Sequence, residues 1–237
     1  MIYDERIIAD PSAENTSTLE FYRHAVGYLL HVLKRDPYLS SSLLATAGER
    51  ALNFWSLSPQ DRQQSKVADA AMDLHVLGTI GKAVFRCGGI DNPQLRKELI
   101  RLVETEYGLL ANYYLFYVAG TLGAAGYGVQ FVSEEPKKGA RTPDLLASKA
   151  DRRAFVEATV KEPVRAIHST EQLGHVIRDV FEEKRRKFMD VRFTPGLIAF
   201  DATPIANRAG QSDLAPGVRL QERLLESDAA GQLYPVP

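Results

Sequence analysis

Asp144 and Glu157 are the residues whose types and placement point most directly to chemistry. They stand in the stretch TPDLLASKADRRAFVEAT, residues 142 to 159. Pro143-Asp144 opens a short apolar run at Leu145 and Leu146, and a charged turn follows over Lys149 to Arg153. A second run, Ala154 to Val160, carries Glu157 at its middle. Two strands joined by a tight turn would bring both acids to one sheet edge. Paired carboxylates suit a hard divalent cation such as Mg2+, which is held by one or two carboxylates with water and phosphate completing its shell. The pattern therefore predicts a metal-dependent phosphodiester site. Taken singly, each acid also has an ordinary reading, because Pro-Asp starts turns and a strand glutamate often faces solvent.

The elements that must position these acids are legible from periodicity and punctuation. After a polar lead-in with a short strand expected at Arg6 to Ala9, the apolar residues Leu19, Tyr22, Val26, Leu29, Leu30 and Leu33 recur at helical spacing from Thr18. Helices are also expected over Ser40 to Trp55 and Asp61 to Cys87, the latter broken by Gly88-Gly89. Asn92-Pro93 starts a long helical run to Ala124 with an interruption near Gly108. The pattern then changes. Tyr127 to Val132 reads as a strand, residues 143 to 148 and 153 to 160 as the hairpin, and Gln172 to Met189 as a charged helix capped at Ser169-Thr170. Leu197 to Asp201 forms a last short strand, and the Gly- and Pro-rich tail has room for one helix at Val218 to Glu226.

This order, with Asp entering the second strand and Glu in the third, resembles the PD-(D/E)XK nuclease superfamily, the restriction-endonuclease-like fold. The resemblance covers residues 94 to 204. It implies that Asp144 and Glu157 hold Mg2+ or Mn2+, with Ala158 as the intervening residue and its carbonyl near the ion. The family places a lysine two residues beyond the glutamate to orient or activate the attacking water. Here that position is Thr159, whose hydroxyl can hold a water but carries no charge. Lys161 follows on the same strand face, about 6.6 Å further along. Gln172 matches a polar auxiliary position on the next helix. The glutamate common on the family's first core helix falls on Leu115, with Glu104 and Glu106 earlier.

Composition bounds the remaining possibilities. With 237 residues, 45% hydrophobic and 25% charged, the chain can bury a substantial core. A net charge of -1 excludes a general polycation, so nucleic-acid binding requires a local patch. Residues 137 to 193 supply one, with 14 Lys and Arg against 9 Asp and Glu, densest at Lys184-Arg185-Arg186-Lys187. That cluster reads either as a phosphate contact or as a solvated helix face. The single cysteine, Cys87, precludes an intrachain disulfide and fits a reducing compartment. The N-terminus lacks a signal-peptide pattern and no apolar run reaches membrane length, so a cytoplasmic location without membrane association is expected. Gly120, Gly123, Gly126 and Gly128 run from helix to strand, the reverse of a dinucleotide fingerprint, and read as packing glycines. The histidine pairs seven residues apart read as packing or surface residues.

The sequence thus predicts an α/β (α+β mixed) fold. A helical N-terminal region spans 1–92, a restriction-endonuclease-like mixed sheet flanked by helices spans 93–205, and a tail spans 206–237. The expected function is metal-dependent hydrolysis of DNA phosphodiesters, DNA being favoured over RNA, with Asp144, Glu157, Thr159 and Lys161 as candidate catalytic residues. The alternative is a degenerate nuclease fold serving as a nucleic-acid-binding or assembly module. A homodimer, or a protein partner in a defence or mobile-element system, is the assembly expected with either.

Overall fold

In the computed structural model, residues 3–10, 12–58, 60, 62, 67–104, 108–132, 142–160, 169–188 and 196–201 are described. Among them are eight helices and four strands. In order these are α1 (Glu5–Ala9), α2 (Ala13–Thr16), α3 (Thr18–Lys34), α4 (Leu43–Ser56), α5 (Val67–Arg86), α6 (Pro93–Glu104) and α7 (Gly108–Ala124). The strands β1 (Gly128–Phe131), β2 (Leu145–Lys149) and β3 (Arg152–Val160) follow, then α8 (Thr170–Arg185) and β4 (Gly196–Asp201). The mixed α and β class expected from the sequence is the one observed. The strand expected at Arg6 to Ala9 is instead α1, because the Asp4 side chain accepts the Arg6 amide and caps a helical turn. The helix expected at Val218 to Glu226 lies outside the described residues.

The chain divides into two units. The first comprises Met1–Phe131 with Ala147–Ala150, and the second Val132–Leu146 with Asp151–Pro237. The core of the first unit is helical. α3 buries Phe21, Ala25, Val26, Leu29 and Leu33, each worth about 1.5–3 kcal/mol when large and fully enclosed. It packs closely on α5, where a Cβ at Gly81 would collide with the Ala25 carbonyl oxygen. Ser42 caps α4 by accepting the Ala45 amide, and Asn92 caps α6 by accepting those of Gln94 and Leu95. Helix α7 carries no charged residue and ends in a Schellman turn. There Gly126 takes φ 82, and the Tyr127 amide donates to the Leu122 carbonyl. No helix among the described residues is long and apolar enough to cross a membrane.

The strand order is β1-β2-β3-β4. Gly128 lies beside Ser148 and Val132 beside Asp144, so β1 and β2 run antiparallel. β2 and β3 are joined at Ala150-Asp151, where Ala150 adopts φ 54, a left-handed conformation that a non-glycine residue rarely takes. β3 pairs parallel with β4, Glu157 opposite Ile198 and Thr159 opposite Phe200. A parallel pair needs a long crossover, and α8 lies in that connection.

Candidate functional site

The hairpin positions the two acids. β2 ends at Lys149 and β3 begins at Arg152, so counting back an equal number of residues along each strand reaches Asp144 and Glu157. Side chains at corresponding positions share a sheet face. Asp144 also locks the mouth of the hairpin, its Oδ2 accepting the Ala158 backbone amide at 2.9 Å. This bond satisfies a β3 donor at the point where the β2 strand has not yet begun. The other oxygen, Oδ1, lies toward Lys187.

Glu157 is a buried acid, with 1% of its surface exposed. Its β3 neighbours Val156 and Thr159 are buried too. A carboxylate in such a place requires a cation or a proton. Two lysines provide the cation. Lys187 Nζ lies 2.7 Å from each carboxylate oxygen, and Lys184 Nζ lies 3.2 Å from Oε1. Lys187 also reaches the second acid, 3.6 Å from Asp144 Oδ1. One ammonium therefore touches both carboxylates, and this bounds their separation to a distance one cation can span. Burial pushes the Glu157 carboxyl above the usual glutamate range and the Asp144 charge adds to this, while Lys187 and Lys184 oppose both.

Both lysines come from the end of the crossover. Ser169 caps α8 by accepting the Gln172 amide, and the helix runs into a tight 3-10 turn over Arg186–Phe188. Lys184 and Lys187 are three residues apart and therefore face the same way. The turn is seated by Phe188, only 4% exposed, against the start of β4. A Cβ on Gly196 would lie 2.6 Å from the Phe188 ring, so only glycine permits this approach.

The sequence-derived residues thus divide by place. Asp144 and Glu157 converge. Thr159 shares the Glu157 face by alternation and is 9% exposed, while Lys161 lies outside the described residues. Gln172 is exposed in the first turn of α8, and Glu104 accepts the Tyr38 hydroxyl in the helical unit. Glu106 lies outside the described residues. Two members of the basic cluster, Lys184 and Lys187, turn inward to Glu157, while Arg185 is exposed and pairs with Glu182. Sequence reasoning placed that cluster on phosphate or in solvent. The signal that could have corrected it was Glu157 itself, an acid within a buried strand that must find a cation. His24 accepts the Asp4 amide and His31 packs on Tyr3, in keeping with structural histidines.

Asp144 and Glu157 offer two carboxylates, the ligand type a hard divalent ion takes, and both are already paired with lysine in this structure. Among the described residues, no group of three or more His, Cys, Asp or Glu side chains is placed to hold one, so water or a phosphate oxygen would have to complete the shell. Comparison with protein-family models, curated proteins and solved structures finds no match to the chain.

Proposed function

We propose that this protein is a Mg2+- or Mn2+-dependent nuclease acting on DNA phosphodiesters, built on a restriction-endonuclease-like core. The observation that carries the reading is the meeting of Asp144 and Glu157 on one ammonium, Lys187, at the mouth of the β2–β3 hairpin. The run α7, β1, β2, β3, α8, β4 supports it as well, since this is the element order of the superfamily that the sequence resembles. Asp144 and Glu157 would hold the ion, which when bound polarises a phosphate and lowers the pKa of water. Thr159 would orient water through its hydroxyl. Lys187 would place positive charge where the phosphate's negative charge grows.

A second reading has its own observation. Lys184 and Lys187 already pair with Asp144 and Glu157, so the cluster can stand as an ionic network without an ion. That arrangement suits a non-catalytic binding or assembly module. Cleavage of plasmid and single-stranded DNA, with and without Mg2+ or Mn2+, separates the two. The nuclease reading expects metal-stimulated cleavage that Asp144→Ala and Glu157→Ala each abolish. Cleavage surviving both substitutions would put the chemistry elsewhere, and no cleavage with any metal would leave the module.

A further inference from the structure

Resting on the nuclease reading, we propose that Lys187 is the built-in counter-ion of the acid pair: it competes with a divalent ion for Asp144 and Glu157, and supplies the positive charge that Thr159 lacks. Two carboxylates close together, one of them 1% exposed, repel each other and have little water to offset it. Lys187 answers both, at 2.7 Å from Glu157 and 3.6 Å from Asp144. Lys184 plays a different part: its Nζ pairs with Glu157 at 3.2 Å and with the surface acid Glu183 at 3.8 Å.

The side-chain type fits this duty. An ammonium is a compact charge with three donors and can bridge two acids, whereas a guanidinium fork matches a single carboxylate. Its attachment fits too. The next residue, Phe188, is buried against Gly196, so the backbone that bears Lys187 is fixed while its long stem can move the charge. A charge delivered from the crossover enters on the same face as Glu157, as a strand lysine at position 159 would. The sequence position is different, but the ammonium is present at the acids.

A positive charge between two ligands must weaken binding of a second cation there. The test uses the full chain, with Mn2+ alone in calorimetry and plasmid cleavage as a separate readout. Lys187→Gln, which keeps a hydrogen-bond donor for Glu157 without the charge, is expected to bind Mn2+ about tenfold more tightly, since removing a unit charge a few ångströms away relieves repulsion. Its cleavage rate is expected to fall about 100-fold, as for loss of one electrostatic stabiliser. Lys187→Arg keeps the charge but its fork matches one carboxylate, so its Mn2+ affinity should fall between those of wild type and Lys187→Gln. Arg185→Met should change neither readout. Opposite movement of binding and cleavage is not what a merely structural lysine would give.

If wild type neither cleaves nor binds Mn2+ but Lys187→Gln binds it, the competition with the ion stands, and the charge-supplying role falls with the nuclease reading. If wild type cleaves while Lys187→Gln binds Mn2+ no more tightly, the inference is overturned and the nuclease reading survives. The inference is likewise overturned if Lys161→Gln, rather than Lys187→Gln, produces the paired effect. Should Lys187→Gln misfold by circular dichroism, Lys187→Met provides the same charge removal with an apolar stem of similar length. Failure of that variant to tighten Mn2+ binding would also overturn the inference.

Discussion

Glu157 shows how burial turns an ordinary residue into an organising one. At 1% exposure its charge must be answered inside the protein, and Lys184 and Lys187 are drawn in by that requirement. The pairing of Asp144 with Glu157 was legible because a hairpin turn fixes which residues stand opposite. Lys187 was not, since thirty residues separate it from Glu157 and only tertiary packing brings them together. Thr159 offers a test at this scale. It shares the face of Glu157 and is 9% exposed, so Thr159→Lys would add a third ammonium to a cluster whose acids are already paired. In the wild-type background this is expected to lower stability by about 1–3 kcal/mol through overpacking, read as a drop in melting temperature. In the Lys187→Gln background the same change returns the missing charge, and is expected to restore cleavage and wild-type Mn2+ affinity. Equal behaviour in both backgrounds would mean that positions 159 and 187 do not serve one site.

Elements were readable where local chemistry decides them. The apolar stripe of α3, the Asn92-Pro93 start of α6 and the Ser169 cap of α8 all act within a few residues. The 3-10 turn after α8 was not readable, because its geometry depends on Phe188 fitting over Gly196. Gly196→Ala is therefore expected to cost about 1–3 kcal/mol by overpacking and to move the turn that carries Lys187. Chemical denaturation would measure the first effect, and altered Mn2+ affinity would report the second. A neutral Gly196→Ala would mean that Phe188 yields easily and does not seat the turn. In the helical unit, Glu14 joins α2 to α3 and α5 by accepting from Tyr22 at 2.8 Å and from Lys82 at 2.9 Å. Burial pushes the Glu14 carboxyl up, but the bonds from Lys82 and Tyr22 outweigh it, and the net shift is downward. A lowered acid stabilises fully above its ordinary value of 4.5 and loses that contribution as pH falls through the folded value. Glu14→Gln should accordingly lessen the dependence of stability on pH below 4.5, and Lys82→Met should destabilise the unit at neutral pH. The cost is expected near 1–3 kcal/mol, less than for a fully buried pair because Glu14 keeps 25% exposure. An acid limb unchanged by Glu14→Gln would remove this network from the account. Cys87 gives a further check within the same unit. Burial pushes its thiol up to about 12, so it should resist thiolate-directed alkylation at pH 8 until the protein unfolds.

For the molecule as a whole, the relevant contrast is between a net charge of -1 and the basic stretch from 137 to 193. Counting charges along the sequence made that stretch visible, but not which of its residues face outward. Lys184 and Lys187 are engaged with Glu157 and are only 21% and 17% exposed, whereas Arg152, Arg153 and Arg178 are exposed. Any binding to a phosphate backbone should therefore draw mainly on the exposed arginines. Binding should weaken as salt rises, because each neutralised phosphate releases condensed counter-ions. Measured in EDTA on duplex DNA, the slope of log affinity against log salt is expected to fall by roughly 0.9 for each phosphate that Arg152→Ala, Arg153→Ala or Arg178→Ala leaves without its cation. Replacing Lys184 and Lys187 under the same conditions should leave the slope nearly unchanged, because their charge is already engaged by Glu157. Flattening by the lysine variants instead of the arginine variants would show that the ionic cluster opens onto DNA, and the inward pairing would then describe only the chain alone. A wild-type affinity independent of salt would argue against phosphate binding altogether, and with it against DNA as the substrate.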